Sequence, residues 1–86
     1  MKQKFRKLSF VKILDGGIYD GYDAIVDGSY SQQYGGKDIG SYSLYILKKG
    51  KVINVMSWFN EKDIELLSQQ DNLKAEDLIE TYNFAK

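Results

Sequence analysis

The chain contains no cysteine, no histidine and no proline. Without cysteine there is no disulfide framework, no thiolate nucleophile and no thiol redox centre. Without histidine, the Ser-His-Asp and Cys-His nucleophiles are excluded, and with both residue types missing so are the common zinc sites. No apolar run approaches the ~20 residues a helix needs to span a bilayer. No apolar leader segment follows the basic N-terminal residues either, so no membrane association is expected and a cytoplasmic location is. An excess of one charge is also lacking: 12 basic and 12 acidic side chains cancel, and the pI is near 6.2.

What is present is a globular composition. With 43% hydrophobic and 28% charged residues the chain is too apolar to stay disordered. At 86 residues it makes a single domain, 1–86, with a small core. The charge is segregated although it cancels. Lys2, Lys4, Arg6, Lys7 and Lys12 lead the chain without an acid, and Asp15, Asp20, Asp23 and Asp27 follow without a base. Such patterning marks solvated faces, or a polarised surface that steers a charged partner.

Alternation and turn residues predict the elements. Leu8 to Leu14 is β-prone and stops at Asp15-Gly16-Gly17, and Tyr22 to Val26 is a second strand ending at Asp27-Gly28. Tyr42–Leu47 and Val52–Phe59 flank Lys48-Lys49-Gly50-Lys51, a four-residue hairpin connection with glycine where φ turns positive. Both arms carry apolar residues on both faces, as in a sheet wrapped into a small barrel. Asn60 to Asp63 reads as a tight turn before a short last strand, Ile64 to Leu67, in preference to a helix through 61–70. Ala75, Leu78, Ile79 and Tyr82 fall at i, i+3, i+4 and i+7 and predict a helix over 72–83. The expected core is Val11, Ile13, Ala24, Val26, Leu44, Ile46, Val55 and Leu66, with Trp58 partly buried. Seven of the eight glycines fall between 16 and 40, so residues 28–41 are expected to form a long loop without regular structure.

The run Trp58-Phe59-Asn60-Glu61-Lys62-Asp63-Ile64, closed by the apolar pattern through Leu67, resembles the end of an SH3-like barrel. There an aromatic strand end meets one helical turn and a closing strand. Many small proteins of phages and mobile elements have this arrangement, and the resemblance covers about residues 7–67. It implies a mainly β (α+β) fold: a partly open antiparallel barrel of about five strands, with an appended C-terminal helix. It carries over no catalytic or binding residue, and fold alone does not fix function.

The motifs that carry chemistry are weak. Asp15, Asp20, Asp23 and Asp27 lack the alternate ligand positions of a calcium loop and read as turn formers. Asp23 and Asp63 are the nearest candidates for acid–base work, yet neither sits in an apolar setting. Gly35-Gly36-Lys37 is followed by Asp38 and by no helix, unlike a phosphate loop. The chain is therefore expected to be non-enzymatic and to need no cofactor and no metal.

Two binding functions remain. The favoured one is a protein-binding module of phage or mobile-element origin that occupies the surface of a host or defence protein, as an inhibitor does. Its surface is expected on the 28–41 loop, with Tyr30, Tyr34 and Lys37 as contacts and Tyr42 at the base. Tyrosine among serine and glycine makes an adaptable contact surface, though both loop tyrosines are equally readable as lids on the core. The alternative is a nucleic-acid-binding barrel using Lys4, Arg6 and Lys7 of the basic N-terminal strand together with exposed tyrosines. The neutral charge balance argues against it.

Overall fold

The computed structural model describes residues 5–37, 39–68 and 72–85. It is mainly β. The elements in chain order are β1 (Phe10–Ile13), β2 (Asp23–Ser29), α1 (Tyr30–Tyr34), β3 (Ser41–Lys48), β4 (Lys51–Asn60), a 3-10 turn (Glu61–Asp63), β5 (Ile64–Ser68) and α2 (Asn72–Ala85). The strands form one open antiparallel sheet in the order β4-β3-β2-β1-β5. No helix among the described residues is long and apolar enough to cross a membrane.

Local chemistry accounts for most element boundaries. The β3–β4 connection is tighter than expected: Lys48 pairs with Lys51, leaving only Lys49 and Gly50 in the loop. Both have positive φ, 53° and 76°, which matches the twist of a two-residue hairpin turn. β1 starts two residues later than its β-prone run, because Leu8 takes φ 71° and breaks the extended chain. Pairing with β2 continues irregularly there, with Leu8 N–H donating to the Val26 carbonyl at 2.7 Å. At the other end the Asn60 side chain accepts from Lys62 N–H at 2.9 Å and starts the 3-10 turn. Leu14 N–H donates to the Asp63 carbonyl, tying this turn to the end of β1.

Each face of the sheet has its own core. Val11, Ile13, Ala24, Val26, Tyr42, Leu44, Ile46 and Ile64 fill one, with Phe5 folded over it. Ile25, Leu47 and Val52 face the other way and are covered by Ala75, Leu78, Ile79 and Tyr82 of α2. Apolar residues on both strand faces thus have two causes: one face is packed by Phe5, Tyr19, Tyr22, Met56 and Phe59, and the helix covers the other. The three-residue link from β4 to β5 spans at most ~3.3–3.6 Å per residue, so the two edge strands are held close at that end.

Three expectations are corrected. Val55 is only half-buried, and Leu66 is 40% exposed. Both lie on edge strands, where one flank of the side chain has no neighbouring strand. Residues 28–41 are not a structureless loop: β2 runs on to Ser29 and α1 follows at once.

Candidate functional site

α1 is short but well terminated. Ser29 is its N-cap: Ser29 Oγ accepts from Gln32 N–H at 3.2 Å, while Gln32 Oε1 accepts from Ser29 N–H at 2.9 Å. This reciprocal pair is a capping box, which satisfies two donors that a helix start otherwise leaves open. At the other end Gly35 takes φ 78° and its N–H donates to the Ser31 carbonyl at 2.8 Å. Ser29 pairs with Tyr42 in the sheet, so the helix start is fixed to the β2–β3 ladder.

One turn of helix sets Tyr30 and Tyr34 on the same side, since residues four apart are neighbours on a helix surface. Their ring centroids are 4.9 Å apart. Trp58 of β4 completes the group, edge-on to Tyr30 at 5.2 Å and to Tyr34 at 6.0 Å. Contacts of this kind are each worth ~0.5–1.5 kcal/mol beyond area burial, enough to hold the rings in one arrangement. Tyr34 nevertheless remains 68% exposed and Tyr30 36% exposed, while Trp58 is half-buried. The result is a surface cluster of three aromatic rings on a rigid base. Lys37 is exposed and follows the cap by two residues.

Tyr42 does not belong to this surface. It is 0% exposed, its hydroxyl accepts from Phe5 N–H at 3.2 Å, and its ring meets Phe5 edge-on at 5.4 Å. A side chain so enclosed touches no partner, and its place as a contact residue is withdrawn. Trp58 takes its place in the cluster. The Ser29-x-x-Gln32 spacing was the available signal for α1 and for the Tyr30–Tyr34 pairing. Nothing in the linear pattern marked Trp58 as their neighbour.

The basic N-terminal residues are less well placed for the alternative. Lys4 lies outside the described residues. Arg6 and Lys7 are exposed, but the chain there is not a strand, and Lys7 shares a shallow groove with the acid Asp27. Tyr45 is also engaged. It packs under α2, edge-on to Tyr82 at 6.5 Å, and lies near the Asp27 carboxylate. Burial, reinforced by the Asp27 charge, raises its phenol above the ordinary value of 10.0. Asp15 and Asp20 accept from the Gly17 and Gly16 N–H groups, both at 2.9 Å, and so shape the turn after β1. Asp23 pairs with Lys12 at 3.3 Å on the surface.

Compared with protein-family models, with curated proteins and with solved structures, the chain matches none.

Proposed function

We propose that the protein is a small, non-enzymatic protein-binding module of SH3-like barrel type. It acts by occupying a partner's surface with the Tyr30–Tyr34–Trp58 cluster. The barrel reading is supported by the strand order β4-β3-β2-β1-β5 and by the 3-10 turn that carries the chain from one sheet edge to the other. The binding reading rests on one observation: Tyr34 is 68% exposed yet held against two other rings. Pre-ordered rings lose little side-chain entropy on binding, and Tyr and Trp dominate interface hot spots. The capping box fixes the short helix, so the rings present a preformed shape.

The experiment is capture of partners from the source cell, followed by affinity measurement on the purified partner. Tyr34→Ala weakens binding at least about tenfold, which corresponds to ~1.4 kcal/mol. Unchanged affinity in that variant refutes the cluster as the contact surface.

A further inference from the structure

Two turns stand side by side at one end of the sheet. The first, residues 14–22, joins β1 to β2, and the second, residues 48–51, closes the β3–β4 hairpin. The register sets them level. Ile13 N–H donates to the Tyr22 carbonyl at 2.8 Å, and Gly21, Lys48, Lys49 and Gly50 border one depression. In the order β1-β2-β3-β4 the centres of the two turns are two strand spacings apart, ~10 Å. The aromatic cluster is at the opposite end of β2 and β3.

The two turns carry opposite charge. Asp15 and Asp20 are exposed in the first, which holds no base. The adjoining 3-10 turn, whose Asp63 carbonyl accepts from Leu14 N–H, adds Glu61 and Asp63 against Lys62. Lys48, Lys49 and Lys51 are exposed in the second turn, which holds no acid. Lys12 and Asp23, the next pair inward, neutralise each other at 3.3 Å. Among the described residues the three hairpin lysines have no ion pair, and the Asp15 and Asp20 carboxylates accept only from glycine N–H groups.

The hairpin lysines occupy positions that lysine does not favour. Lys48 is directly opposite Lys51 in the ladder, a like-charge pair that weakens a hairpin. Lys49 takes a φ of 53°, which favours glycine, asparagine or aspartate. An opposing carboxylate relieves the repulsion, and none among the described residues of the same copy stands within ion-pair distance. Beside the acids of the first turn, Ile18 is 84% exposed and Leu14 47% exposed.

This pattern selects its partner. A wholly acidic surface is repelled by the first turn, and a wholly basic one by the second. A second copy, rotated 180° about an axis between the turns, satisfies both, since each acidic turn then faces a basic one. Such a two-fold contact closes on itself and does not propagate. Ile18 and Leu14 then lie against the methylene stems of the other copy's lysines. We propose that the protein pairs with a second copy of itself through this end of the sheet, the 14–22 turn of each copy against the 48–51 turn of the other. The pair leaves both aromatic clusters uncovered at its far ends.

Two short turns offer less than the ~20–30 residues a side of a standard interface, so the pair is weak, with a Kd of ~10 μM to 1 mM. The test is sedimentation equilibrium of the full chain at concentrations up to about 1 mM. The average mass should rise from 9.9 kDa towards twice that value and no further, and should rise less at high salt. Lys49→Glu combined with Lys51→Glu should raise the Kd at least about tenfold, because each contact then opposes like charges. Asp15→Asn combined with Asp20→Asn keeps the acceptors that shape the turn and should weaken pairing severalfold. Mixed together, the two double variants should associate more strongly than either does alone, since the mixed pair regains one opposite-charge contact and has no like-charge one. Ile18→Ser should weaken pairing, and Tyr34→Ala should leave it unchanged. Circular dichroism checks that each variant keeps its fold. A constant mass of one chain overturns the proposal, as does growth beyond the dimer. Unaltered association in the folded lysine variant, or no gain on mixing, also overturns it. Loss of association in Tyr34→Ala overturns it too, and assigns self-association to the aromatic cluster.

Discussion

Tyr34 and Tyr42 are eight positions apart, and their truncation should have very different consequences for stability. Tyr42 is fully buried. A tyrosine side chain buries ~150–250 Å² in a core, and at ~25 cal/mol per Å² this amounts to about 4–6 kcal/mol. Aromatic-to-alanine changes in cores cost ~3–5 kcal/mol, so Tyr42→Ala belongs in that range. A chain of 86 residues has about 4–13 kcal/mol to lose, at ~0.05–0.15 kcal/mol per residue. Tyr42→Ala therefore removes a large fraction of the stability or all of it. Tyr34 is 68% exposed, so only about a third of the same area is at stake. The corresponding area-burial loss is ~1–2 kcal/mol, ring contacts apart on both sides of the comparison. Urea unfolding followed by far-ultraviolet circular dichroism measures both, provided the denaturant slope is unchanged. The reasoning fails if Tyr34→Ala destabilises as much as Tyr42→Ala, for the cluster would then be a lid on the core. A loss below about 2 kcal/mol in Tyr42→Ala refutes its place in that core.

Two further outcomes follow from the backbone and from one phenol. Gly40 has φ 69°, and a Cβ there meets the Glu61 carboxylate at 2.6 Å. That carboxylate swings aside easily, so Gly40→Ala should cost ~1–2 kcal/mol from the left-handed backbone, and adding Glu61→Ala should not restore it in urea unfolding. Tyr45 titrates above its unfolded value because burial, and then Asp27, disfavour the phenolate. Above the unfolded value the unfolded chain has released this proton while the folded chain retains it, so stability falls as pH rises. The contribution is complete below about pH 10 and is lost as pH climbs through the folded value. Tyr45→Phe should flatten the alkaline fall in melting temperature, and Asp27→Asn should bring the tyrosine titration to lower pH in ultraviolet difference spectra.

The sequence by itself determined the elements whose cause is local. The hairpin at Lys48–Lys51, though not its two-residue length, the alternation in β3, the turn from Asn60 before β5 and the 3.6-residue stripe of α2 all depend on residues within about four positions of one another. The absence of histidine and cysteine likewise removes whole classes of chemistry without reference to any fold. Tertiary structure decided which of several similar residues is covered. Tyr30, Tyr34 and Tyr42 are the same side chain in one tyrosine-rich stretch, but Tyr42 is closed off by Phe5, 37 positions away, and Tyr34 is backed by Trp58. Val55 and Leu66 alternate like core residues and are partly exposed because their strands fall at the two edges of the sheet, an order that local pattern does not encode. Lys12, Lys48, Lys49 and Lys74 come from different parts of the chain and border one depression only through the β1–β2–β3 register and the docking of α2. Backbone conformation follows from steric and hydrogen-bonding preferences of near neighbours. Burial and electrostatic grouping follow from distance in space, which long-range pairing alone sets.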